Sequence, residues 1–202
     1  MQPTTYRRVA AAGASFWLLK ILVTSVGDVS GDGMSLALHL GYARSLAAAA
    51  LVAALLLLAK LRGGRWRPWL YWLLVLATST LGTELSDALS HAWGWGNANT
   101  TLVLAAGLVA MLIGWHGSRG IPHADVLLAR RDEAFYWGAA VLANALGSVL
   151  GDVLGDRLGW GPAASTGLFA AVLALLWLLR RTTRADSRWL YWAAWTCSRI
   201  PL

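Results

Sequence analysis

The chain has 202 residues, 57% of them hydrophobic and 13% charged, with a formal net charge of +7 and a mean hydropathy of +0.54. A soluble domain is about a quarter charged, so this composition excludes one and indicates an integral membrane protein. The basic residues form short clusters between apolar runs, which excludes a nucleic-acid-binding stripe, and the single Cys197 excludes an intrachain disulfide or a multi-cysteine zinc site.

Arg7-Arg8 and an Ala-rich run open the chain like a secretory signal, but Lys20 would interrupt its apolar core and Phe16-Trp17 opens a phrase that recurs. The first predicted helix covers 15–38 and carries Lys20, Thr24, Asp28 and Asp32 on one face, with Gly27 ten residues after Trp17 and Asp32 fifteen after it. Leu40-Gly41 makes a turn, and an Ala/Leu-rich helix follows over 43–61. Lys60, Arg62, Arg65 and Arg67 fill the next loop.

Tyr71-Trp72 restarts the phrase in a helix over 69–90, with Gly82 and Asp87 at the same offsets and a stripe of Thr80, Glu84, Asp87 and His91. A Trp/Gly turn over 93–97 leads to an apolar helix over 100–115, the shortest predicted span, and then to a loop holding Arg119, Arg130 and Arg131. Tyr136-Trp137 opens a third copy over 134–157, with Gly147, Asp152 and the stripe Asn144, Ser148, Asp152 and Asp156. A turn over 158–162, an apolar helix over 163–179 and a loop with Arg180, Arg181, Arg184 and Arg188 complete it. Tyr191-Trp192 begins the phrase a fourth time, too close to the end for an ordinary span.

These elements predict a single membrane domain, 1–202, with repeats over 15–67, 68–131 and 132–187 and a partial one over 188–202. The fold class is all-α integral membrane, a polytopic bundle of tandem two-helix repeats with six full spans and a partial seventh. The first helix of each repeat, the A helix, carries the polar stripe, whereas the second, the B helix, is almost wholly apolar. A helices are therefore expected to meet around a polar centre with B helices outside. Gly27, Gly82 and Gly147 are expected to let A helices approach closely. Two helices per repeat make the repeats parallel, and a 120-residue period from Trp17 to Trp137 makes them a doublet.

The basic clusters fall at the N-terminus and between repeats, with only Arg44 and Arg157 in the turns inside them. By the positive-inside rule the N-terminus is cytoplasmic and Gly41, Gly96 and Gly161 lie outside. Trp66, Trp69 and Trp72 would mark the inner interface; Trp93, Trp95 and Trp160 would mark the outer one. Asp28 and Glu84 then lie about 16–18 Å along their helices, near mid-membrane, and Asp156 lies near the outer boundary.

Five unpaired intramembrane carboxylates would cost about 15 kcal/mol, comparable to a domain's stability of about 5–15 kcal/mol. Lys20 is the evident counter-charge, on the Asp28 face, so the other acids must be protonated, solvated or neutralised by a bound cation. Candidate translocation and cation-binding residues are Asp28, Asp32, Glu84, Asp87, Asp152, Lys20, Thr24 and Asn144. No cofactor is expected beyond a bound metal cation, for which Asp28, Glu84 and Asp152 are the candidate ligands. Two readings stand for Asp32, Asp87 and Asp152: a path, or structural carboxylates hydrogen-bonded to a neighbouring helix end. His39 and His91 lie at non-equivalent positions and are not read as ligands, while His116 and His123 are read as loop residues.

The spaced residues Phe16-Trp17 through Gly27-Asp28 and Asp32, Tyr71-Trp72 through Thr78, Gly82, Thr83 and Asp87, and Tyr136-Trp137 through Gly147, Gly151 and Asp152 cover almost the whole chain. This set resembles the uncharacterised bacterial membrane-anchored proteins built from four copies of a repeat of unknown function. The resemblance implies an inner-membrane helical protein and supplies no reaction. Fourth repeats of such proteins continue past a Thr-Arg-Pro-Leu-Gly-Ala-like phrase through Gly-Asp, whereas 196–202 approximates the phrase and stops, which is expected of a truncated or frame-shifted product.

The function expected is a secondary transporter or exporter of a divalent or proton-coupled cation through a carboxylate-lined path. Its partners would be the lipid bilayer and a cation or small cationic solute, and a homo-oligomer is compatible with it. The alternative is a non-transporting structural membrane protein or interaction partner. An intramembrane aspartyl enzyme is disfavoured, because the acids recur in every repeat instead of forming one special pair.

Overall fold

The computed structural model describes residues 10, 13–37, 39, 41–63, 67–119, 130–157, 159, 161–182 and 187–199. Expectations at Arg7, Arg8, Arg65, Trp66, His123, Trp160, Arg184 and Leu202, and on the side chains of Arg119, Arg130, Arg131, Asp156 and Arg157, lie outside the described residues. The described chain is all-helical: α1 Ala14–Asp32, α2 Tyr42–Arg62, α3 Pro68–Asp87, α4 Gly96–Arg119, α5 Arg130–Asp152, α6 Gly161–Thr182 and α7 Ser187–Cys197.

Each complete A helix changes pitch at the same place. α1, α3 and α5 stop at Asp32, Asp87 and Asp152, and the chain continues in five-residue π turns over Gly33–Ala37, Ala88–Ala92 and Val153–Arg157. The wider π turn leaves main-chain groups to be satisfied locally, and the Trp93 and Trp95 amides bond the Ala88 and Leu89 carbonyls at 2.9 and 3.2 Å. Each B helix then starts at a glycine in the left-handed region, with φ of 74° at Gly41, 70° at Gly96 and 71° at Gly161. A side chain there would be strained, which is why this glycine keeps its register through all three repeats. His39, with φ of 52°, occupies the left-handed slot that Gly94 and Gly159 fill in the other repeats.

One predicted length is corrected. The helix expected over 100–115 is α4, which at 24 residues is the longest of the seven. Asn97 is the end of the predicted turn, but inside the helix Thr101 bonds back to the Asn97 carbonyl at 2.7 Å, and Asn99 bonds to that of Trp95 at 3.0 Å.

Four helical segments are long and apolar enough to cross a membrane: Tyr42–Arg62, Gly96–Ser118, Asp132–Gly155 and Ala163–Thr182. Six full spans are thus not reached on apolarity alone. α1 carries Lys20, Asp28 and Asp32, and α3 carries Glu84, Asp87 and a run of buried Ser and Thr, so both fall short. At 11 residues, α7 is only about 16 Å long and is a partial element.

The A helices form a ring. α1 packs on α3, α3 on α5 and α5 on α7, and α7 returns to α1 through Trp195, whose ring lies 6.1 Å from that of Phe16. Each B helix leans on the A helix of the next repeat: α2 on α3, α4 on α5, α6 on α7. The apolar windows of α2 and α6 are only 17% and 11% buried, against 50% in α5, so the B helices form the lipid-facing shell.

The repeated glycines set the ring's diameter. A Cβ at Gly27 would stand 2.6 Å from the Ser79 Cβ, one at Gly82 2.8 Å from the Ala145 nitrogen, and one at Gly147 2.7 Å from the Thr196 carbonyl. Each contact joins one A helix to the next, as small residues do in membrane bundles. At one end of the ring the four opening aromatics meet: the Tyr71 and Tyr136 hydroxyls are 2.8 Å apart and those of Tyr136 and Tyr191 3.0 Å. Phe16, with no hydroxyl, stacks on Tyr191 at 6.4 Å. Trp115, Trp137 and Trp195 are buried, while Trp69 and Trp93 are exposed.

Candidate functional site

Seven residues after its opening Trp, each repeat presents a side chain toward the ring centre: Thr24, Ser79, Asn144 and Arg199, all buried. Four residues on, Asp28 and Thr83 project into the same space. The Arg199 guanidinium fills it. Its Nη2 donates to Asp28 Oδ1 and Thr83 Oγ1, and its Nη1 donates to the main-chain oxygen of Asn144 at 2.9 Å and of Ser79 at 3.4 Å. Thr83 in turn donates to Asp28 Oδ1 at 3.1 Å, and Ser79 Oγ donates to the Thr24 carbonyl at 3.1 Å.

The expected Lys20 pairing is corrected accordingly. Its ammonium lies on the α1 face turned to α7, where it donates to the Trp195 carbonyl at 2.8 Å and Ser198 Oγ at 2.7 Å and lies 5.1 Å from the centre of the Trp195 ring. Two polar partners and an aromatic face compensate the loss of water around this cation. Asp28 takes its counter-charge from Arg199 instead, and the pair satisfies both ions where each alone would be costly.

Glu84 is fully buried on the α2 side of α3. Its Oε2 accepts from Ser45 Oγ at 2.5 Å, and its Oε1 has no partner among the described residues. Ser45, Thr100 and Ser165 hold the same position in the three B helices and are all fully buried. Asp87 lies within electrostatic reach of Asp152, Asp32 and Glu84 at the π-turn end of the ring. Asp28 and Glu84 therefore serve different neighbours, and among the described residues no group of three or more His, Cys, Asp or Glu side chains is arranged to hold a metal ion. Asn144 bridges elements, accepting from Trp195 Nε1 at 3.1 Å.

A second buried ion pair, Lys60 with Glu133 at 2.8 Å, ties the end of α2 to the start of α5. The reading of Lys60 as a loop residue is corrected by it: the side chain turns into the bundle.

The sequence pattern of the Repeat of Unknown Function (DUF347) matches residues 70–120 and 135–185, together half of the chain. The chain belongs to the DUF347 repeat family. No curated protein and no solved structure matches it significantly.

In structural terms the matched stretches of DUF347 repeat run from the opening Tyr-Trp pairs through the A helix, the π turn and the B helix. Sequence reasoning missed Arg199, the π turns and the Lys60–Glu133 pair. Arg199 was within reach: seven residues beyond Trp192, it stands where the DUF347 repeats carry Ser79 and Asn144, and the same register would have placed it at the centre. The π turns leave no compositional mark beyond the recurring Asp that precedes them.

Proposed function

We propose that the protein is a secondary transporter or exporter of a cation, working through the polar interior of the A-helix ring. It would lie in a bacterial inner membrane with six full spans, a cytoplasmic N-terminus and the π turns outward, as a protein of the four-copy repeat type. The observation that carries this reading is the buried layer of Thr24, Ser79, Thr83 and Asn144 around the half-buried Asp28 on the faces where A helices meet, with Asp87 within electrostatic reach of Asp152, Asp32 and Glu84 toward the π turns. Ionisable side chains held inside a membrane bundle are characteristic of substrate and ion paths. The π turns, which recur at functional sites, begin directly after the repeated aspartates. Movement of one repeat doublet against the other would expose the ring interior to alternate sides.

A scaffold reading is favoured by one observation, the Asp28–Arg199 pair, which closes the ring and leaves Asp28 neutralised. Flux separates the two. Reconstituted in liposomes, the parent should carry at least one of Na⁺, K⁺, Mn²⁺, Mg²⁺ or a small organic cation above protein-free background, and Asp87→Asn should reduce that flux about tenfold. No flux in the whole series, or equal flux in Asp87→Asn, would leave the scaffold reading standing.

A further inference from the structure

We propose that the ring centre is a guanidinium site, a cradle for a planar guanidinium or amidinium cation in which Arg199 is a tethered occupant. The inference rests on the cation-path reading for its role in transport, and names the substrate class. The acceptors of the cradle are Asp28 Oδ1 and Thr83 Oγ1 from one pair of repeat-equivalent positions and the Ser79 and Asn144 carbonyls from another; they serve the two terminal nitrogens, while Nε has no partner among the described residues. Guanidinium presents its donors as a flat fork, and both terminal nitrogens are engaged by two acceptors each. An ammonium offers three donors in a cone and cannot match that layout.

Charge favours a monovalent cation at this point, because the one carboxylate, Asp28, balances one positive charge. The cradle is also independent of its tether: Asp28, Ser79, Thr83 and Asn144 lie on α1, α3 and α5, whereas Arg199 follows α7. Its aliphatic stem crosses α5 over Gly147, where a Cβ would meet the Arg199 Cβ at 3.0 Å and Cδ at 3.1 Å. The space for the side chain is thus provided by the repeat's own glycine, and a free guanidinium needs only the head-group part of it.

The test is chemical rescue. Arg199→Ala in detergent is titrated with millimolar methylguanidinium, methylammonium and Mg²⁺ while melting is followed by tryptophan fluorescence. Methylguanidinium should raise the melting temperature saturably and bind about tenfold tighter than methylammonium; Mg²⁺ should have no effect, and the Asp28→Asn/Arg199→Ala double variant should not respond. Where Arg199→Ala does not survive alone, purification in methylguanidinium chloride should recover it folded. No saturable rise, no recovery, or an equal response in the double variant would overturn the site. Parent liposome flux is read separately: rescue without any parent flux removes the transport role and keeps the site, whereas flux without rescue removes the site and keeps the transport reading.

Discussion

Gly82 is held small by backbone, because a Cβ there would collide with the α5 main chain at Ala145, as one at Gly147 would with the Thr196 carbonyl. Backbone cannot yield without shifting a whole helix. Gly82→Ala should therefore destabilise the protein by about 1–3 kcal/mol, the usual cost of overpacking. Gly114 in α4 has nothing within 4 Å of its virtual Cβ, so Gly114→Ala should be neutral or stabilising by up to about 1 kcal/mol. Melting of the two variants side by side checks the pair; equal losses would mean that α3 and α5 are not in contact at Gly82. This close-packing role was legible in the sequence, because Gly27, Gly82 and Gly147 keep one register while their neighbours vary. The partner of Asp28 was not read, because Arg199 lies 171 residues away along the chain, and local spacing favours Lys20 on the same helix.

At the scale of elements, the polar stripes of the A helices face other helices, whereas the B helices, and the outer face of α1 at Leu18, Leu22, Val26 and Val29, expose apolar side chains. α3 shows the consequence: most of its residues are buried, and Thr78, Ser79, Thr80, Thr83 and Ser86 bond to carbonyls within the bundle. Its polarity lowers its apparent membrane character without exposing it to hydrocarbon. The alternation of striped and plain helices was therefore readable, whereas the π turns were not, since their pitch depends on main-chain bonding that composition does not record. Whether α3 spans is open to a direct check at its ends. With Cys197 replaced by Ser, single cysteines at Arg67, before α3, and at Asn99, beyond its π turn, are both exposed. They should react with a membrane-impermeant maleimide from opposite sides of oriented vesicles. Labelling of both from one side would contradict a two-span repeat.

For the whole molecule, the ring and its axial charge pair are one structure. Asp28 comes from the first repeat and Arg199 from the beginning of the fourth, so their contact joins the two ends of the described bundle. The tyrosine chain joins α3, α5 and α7 at the other level, through Tyr71, Tyr136 and Tyr191. The fourth opening phrase is thereby explained even in an 11-residue helix: α7 supplies Tyr191, Trp195 and Arg199 to a ring that three A helices would leave open.

A double-mutant cycle on Asp28→Asn and Arg199→Gln tests that closure most directly, with the free energy of unfolding in detergent as the readout. Each single variant strands a buried charge and should cost about 3–5 kcal/mol. The double variant strands none, and should be more stable than the sum of the singles by about 0.5–3 kcal/mol. Additive losses would mean that the two side chains do not meet, and that the A helices do not close around Arg199.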